Sequence, residues 1–124
     1  MSERTLEFST AVITEFRRLM PADEAEHVLW TELLKTQKGL AANTAESAGA
    51  QSRKDFTQKF HIALKEAREA FQLLRLLHRI CPQRQRELAT LIRQCDEITA
   101  VLVASLKTAK RNQARERLGR NGRD

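Results

Sequence analysis

Residues 39–77, GLAANTAESAGAQSRKDFTQKFHIALKEAREAFQLLRLL, decide the fold. An Ala-rich helix end is followed by a short polar break and then a helix with a continuous apolar seam. Phe56, Phe60, Ala63, Ala67, Ala70, Leu74 and Leu77 recur at alternating steps of four and three. That spacing keeps one narrow face against neighbouring helices, so a helix of this kind requires partners. Two flanking rows widen the apolar surface: Ile62, Leu73, Leu76 and Ile80 on one side, Leu64 and Phe71 on the other. The excess fits either a subunit interface or a broad core face.

Working outward, three more helices follow from the same reading. Leu6, Val12, Ile13, Phe16, Leu19 and Met20 form a one-sided stripe that stops before Pro21, which predicts a first helix over about 5–20. Asp23 and Glu26 have the spacing of a capping box, opening a second helix over about 23–49. Its end, with Ala41, Ala42, Ala45 and Ala48, suits close approach to another helix. Ser52 and Asp55 repeat the cap and start the third helix, about 53–80. Pro82 suits the first turn of a fourth, about 82–112, which carries Leu88, Leu91, Cys95, Ile98, Leu102, Ser105 and Ala109. Short connections allow only antiparallel neighbours, so the expected architecture is all-α: an antiparallel, up-and-down four-helix bundle over residues 1–110.

Composition agrees. The 124 residues make one domain, and four Gly, two Pro and no Tyr leave little material for turns or strands. No apolar run reaches the length of a membrane span, and MSERTLEF lacks the apolar core of a signal peptide, so a soluble cytoplasmic protein is expected. Cys81 and Cys95 have no second Cys or His at metal-ligand spacing; two reduced thiols are the expectation, with a disulfide as the alternative.

Charge is unevenly distributed. Residues 107–124 hold seven basic residues (Lys107, Lys110, Arg111, Arg115, Arg117, Arg120, Arg123) against two acids, which accounts for +5 of the net +6. The apolar stripe ends near Ala109, and Gly119 and Gly122 follow, so residues 111–124 are expected to be a basic, disordered tail. Such a tail can hold nucleic-acid backbone without reading sequence, since it has no aromatic side chain to stack on bases. It can equally serve solubility alone.

Reaction centres are not expected. A di-metal carboxylate bundle needs Glu-x-x-His on two helices. Glu24 and His27 supply one such spacing, but no Glu precedes His61 or His78 at that interval. Neither cysteine has an evident base, and Glu66 with Glu69 is an ordinary helical surface pair. No cofactor or small-molecule substrate is expected.

Asn43, Glu46, Ser52, Asp55, Phe56 and Lys59, then residues 63–69 (ALKEARE) and 74–77 (LRLL), resemble the signature of the bacterial "four helix bundle protein" family, which includes proteins encoded in intervening sequences of 23S ribosomal RNA genes. The match is strongest over 39–77. Gly39 stands where that family often has Ser, Ser47 where it has Ala or Gly, and Leu73 where it often has Trp. The resemblance implies a bundle that assembles into a ring-shaped homopentamer, with no established enzymatic activity and a suspected role in binding RNA or DNA. The function expected is therefore a non-enzymatic, self-assembling nucleic-acid-binding or accessory protein; the alternative is a scaffolding module whose partner is another protein. Among the signature residues, Asn43, Glu46 and Glu69, with Lys65 or Arg68, read as a structural polar network between the second and third helices. The other reading is an anion or RNA-backbone site on Lys59, Lys65 and Arg68.

Overall fold

The computed structural model describes residues 1–121. It contains α1 (Ser2–Arg18), α2 (Glu24–Ala48), α3 (Arg53–Ile80), a 3₁₀ turn at Pro82–Arg84, and α4 (Gln85–Asn121), with no strand among the described residues.

Each boundary has a local cause. α1 ends two residues short of the expected place: Leu19 turns extended, at φ −98° and ψ 112°, and buries its side chain ahead of Met20–Pro21. At the start of α2 the Asp23 carboxylate accepts from the Glu26 amide at 2.9 Å. Glu26 reaches back to the amide of Ala22 at 3.0 Å, one residue beyond the usual capping-box partner. Ser52 Oγ accepts from the Asp55 amide at 3.1 Å and opens α3. Pro82 starts the 3₁₀ turn, and α4 follows it.

Cross-helix contacts give the topology. Thr5 pairs with Thr44 and Ser9 with Gln37, each at 2.8 Å, and Phe16 lies against Trp30; as α1 advances, its partners in α2 recede. Likewise Glu46 pairs with Lys59 while Gly39 lies against Glu66, and Cys95 meets Ala67 while Glu116 meets Arg53. All three successive pairs are therefore antiparallel. α1 touches α2 and α4, α3 touches α2 and α4, and the diagonals do not touch among the described residues. The helices occupy the four corners of a square, in up-and-down order.

The core lies where the seams meet. Phe60, Ala63, Ala67, Ala70, Leu74 and Leu77 of α3 are buried, with Phe56 half-buried at the entrance. α4 contributes Leu88, Leu91, Cys95, Ile98, Leu102, Leu106 and Ala109; Ser105 is only half-buried. Leu64 is buried as well, so its flank of α3 belongs to the core, whereas Ile62, Leu76 and Ile80 are 44–49% exposed. Trp30 is 1% exposed and packs beside Phe16, with its indole N–H unpaired. Between α1 and α2 the core is partly polar: Thr5, Ser9, Gln37 and Thr44 are buried and satisfy one another.

The expected disordered tail is corrected by the structure. α4 continues without interruption to Asn121, and residues 122–124 lie outside the described residues. Lys, Arg, Gln and Ala are strong helix formers, and a helix already nucleated by a packed bundle extends at little cost.

Phe60→Ala is expected to lower stability by about 3–5 kcal/mol through a cavity at the seam, measured by urea melts. Thr44→Val should cost about 1 kcal/mol or less, since Thr5 loses the Thr44 hydroxyl but keeps the Ser2 carbonyl at 2.8 Å, and the Thr5→Val/Thr44→Val double variant should recover part of that loss in a double-mutant cycle.

Candidate nucleic-acid interface

Register explains what the end of α4 does. The Cys95 thiol donates to the carbonyl of Ala67 at 3.3 Å, which places these residues level. Fourteen residues back from Ala67 is Arg53, where α3 begins, and fourteen beyond Cys95 is Ala109, the last buried residue of α4. From Lys110 on, α4 therefore runs past the start of α3, with Asn112 and Gln113 still half-buried and residues 114–119 exposed. Its only acid among the described residues is Glu116, and the Arg53 side chain follows the overhang to meet it at 2.6 Å.

Lys107, Lys110, Arg111, Arg115 and Arg117 are all exposed. Lys107, Arg111 and Arg115 are spaced by four and so form one row. Arg123 lies outside the described residues; Arg120 sits on the same helix, and its side chain is likewise outside them. At the root of the overhang is an open cleft of about 770 Å³ between the end of α2, the start of α3 and α4. Ala48, Ala50, Phe56, Val101, Ala104 and Ala109 line it together with Ser52, Ser105, Thr108, Asn112 and Arg53. The cleft itself is mainly apolar with Arg53 as its one charged residue; the cationic surface lies on the exposed row of α4, which is suited to phosphate backbone.

The signature residues of α2 and α3 separate. Asn43 donates its side-chain amide to the carbonyl of Gly39 at 2.8 Å, within its own helix. Glu46 crosses to Lys59 at 2.9 Å, and this pair holds the Lys59 ammonium pKa above its ordinary value. Lys65, Arg68 and Glu69 are exposed and join no ion pair among the described residues; they edge a shallow groove of about 600 Å³ with Glu32, His61 and Gln72. The expected α2–α3 polar network thus reduces to Glu46–Lys59. Glu66, just before Ala67 on α3, is half-buried, and its carboxyl lies against the bare Cα of Gly39. Burial, and then the neighbouring Glu69, raise its pKa above the ordinary 4.5.

His27 is exposed and 6.4 Å from the Phe16 ring. Both cysteines are free and buried; burial lifts the Cys81 thiol to about 11, with Glu26 adding to it, and the Cys95 thiol to about 12. Among the described residues no three His, Cys, Asp or Glu side chains are placed to hold a metal, and no helix is long and apolar enough to cross a membrane.

A family model described as 23S rRNA-intervening sequence protein matches residues 2–104. The chain belongs to that family. A solved structure from the S23 ribosomal protein family of Bacteroides thetaiotaomicron, described as a protein with unknown function, superposes with a TM-score of 0.72 at 27% identity, covering 86% of this chain and 97% of that one. No curated protein sequence matches the chain. The family match stops at residue 104, so the basic overhang lies beyond the part of the chain that defines family membership.

Gly39→Ala is expected to be tolerated. A Cβ there would come within 2.9 Å of the Glu66 carboxyl carbon, but that group is the far end of a flexible side chain and can swing into water. The helix gains up to about 1 kcal/mol in propensity. Because the folded-state pKa of Glu66 is raised, the stability linked to it is present below its unfolded value and lost as pH rises through its folded value. Releasing the carboxyl therefore helps more at neutral pH than in acid, which thermal melts at both pH values would show.

Proposed function

We propose that this protein is a non-enzymatic, self-assembling helical bundle that binds RNA or DNA backbone through the exposed end of α4. The observation that carries the reading is the overhang: a helix end with no buried residue described from Lys110 on, cationic on several sides, and with its single described acid paired with Arg53. The family's association with 23S ribosomal RNA genes supports a nucleic-acid partner. A basic row along a helix engages phosphates without base readout. Self-assembly is supported by Ile62, Leu76 and Ile80 standing exposed in a stripe that the single chain leaves uncovered. The resemblance to the four helix bundle family makes a ring-shaped homopentamer the assembly proposed, and a ring multiplies weak contacts through effective concentration. The chemistry fits a cytoplasmic protein without cofactor or small-molecule substrate.

A second reading, a scaffolding module for another protein, rests on the same exposed apolar stripe.

Deleting residues 111–124 removes five Arg and two acids, a net +3 per chain, and leaves every buried residue in place. The truncated protein should keep its helical spectrum but bind labelled RNA or duplex DNA more weakly in anisotropy titrations. Each lost phosphate contact should reduce the slope of log affinity against log salt by about 0.7 to 0.9. Unchanged binding would move the site to the bundle, with Lys59, Lys65 and Arg68 next to replace. A full-length protein that binds neither nucleic acid at low salt would leave the scaffolding reading in its place.

A further inference from the structure

The end of α4 that carries the basic row has no aromatic side chain of its own, but the fold brings one to it. Phe56, near the start of α3, is half-buried and lines the cleft at the root of the overhang. Phe60 backs its ring at a centroid distance of 4.4 Å and an interplanar angle of 28°. Across from Phe56 stand Val101, Ala104, Ser105, Thr108 and Asn112 of α4. At about 770 Å³ the cleft has the size of a small-ligand site, and like such sites it joins apolar walls to a few hydroxyl and amide groups.

Its place beside the basic row gives it a ligand. Lys107 and Arg111 immediately precede Thr108 and Asn112, so each of these cations stands about 100° round the helix from a residue of the cleft. Arg115, seven residues after Thr108, stands beyond the cleft on nearly the same line. The row therefore runs along one rim, and none of its three cations joins an ion pair among the described residues. The opposite rim, on α3, is Arg53, whose charge is met by Glu116 at 2.6 Å. Of the other acids nearby, half-buried Asp55 acts on Lys59, which Glu46 pairs, and Glu97 lies with Arg4 and Glu7 in the next groove between α1 and α4.

We infer that the cleft takes an unpaired nucleobase of a single-stranded nucleic acid, packed against Phe56, while the adjoining phosphates lie on Lys107, Arg111 and Arg115. The inference rests on the backbone-binding reading and narrows it to strands whose bases are free. A base projects sideways from its sugar–phosphate chain, so one nucleotide can set its phosphate on the rim and its ring inside. In a duplex the bases are stacked and paired within, and the cleft has nothing to take. Stacking on an aromatic ring tolerates every base, since each has a π-face, so the site holds a strand without reading its sequence.

Anisotropy titrations with three labelled dodecamers test this: one of thymidine, one of uridine, and an abasic deoxyribose strand that carries the same phosphates and no bases. The full-length protein should bind at least one of the base-bearing strands about fivefold or more tighter than the abasic strand, and the one that gains more tells DNA from RNA. Phe56→Leu keeps apolar volume at the cleft but removes the aromatic face, and Thr108→Leu fills the cleft from an exposed position. Neither changes charge. Each should bring the base-bearing strands down toward the abasic affinity, with abasic binding, its salt dependence and the helical spectrum unchanged. Equal binding of all three strands by the parent would overturn the base site and leave backbone binding standing. A gain from bases that survives both variants would overturn its placement in the cleft. Failure to bind any of the three at low salt would sink the backbone reading itself.

Discussion

The closeness of α3 to its neighbours is the constraint on which the rest of the bundle depends. Ala63, Ala67 and Ala70 are each fully buried, and side chains this small let a backbone approach within reach of a thiol: Cys95 donates directly to the carbonyl of Ala67. The same economy of volume appears on the α2 side, where Gly39 leaves room for the Glu66 carboxyl. α1 closes the square last, with the fewest neighbours and the most polar contacts.

That polar closure gives α1 its register. An all-apolar α1–α2 seam could slide by a turn at modest cost, whereas Thr5 on Thr44 and Ser9 on Gln37 are satisfied together in one alignment. Slipping would separate both pairs; Thr5 and Thr44 keep carbonyls of their own helices, but the buried Ser9 hydroxyl and the Gln37 carbonyl would each lose a partner, which costs more unmade than it contributes made.

Four helices, their order and most of the core were legible because apolar periodicity survives in the interior and the caps at Asp23 and Ser52 are local chemistry. The buried hydroxyls were not. Thr5, Ser9 and Thr44 fall on core positions of the helical period, but their side chains read as surface until the partner helix is known. The end of α4 was misread for a related reason: without an apolar stripe it resembles a disordered tail, while helix propensity and a nucleated end suffice to extend it. For the candidate site, the basic residues themselves were visible, but their mounting on a helix that runs past the bundle and the pairing of Arg53 with Glu116 depend on a register between distant segments. Lys65, Arg68 and Glu69 were grouped with Asn43 and Glu46 by shared helix faces; the structure divides them, because a helix edge three or four residues wide spans both a packed seam and open solvent.

Trp30 is the single tryptophan in a chain without tyrosine, and it is sealed beneath Phe16 at the α1–α2 junction. Its intrinsic emission therefore belongs to one corner of the molecule. Solvent relaxation of that fluorescence reports the detachment of α1, the least anchored helix, separately from the backbone signal of α2, α3 and α4. A chain that loosens in stages would show it as a red shift preceding the loss of helicity, with no label added.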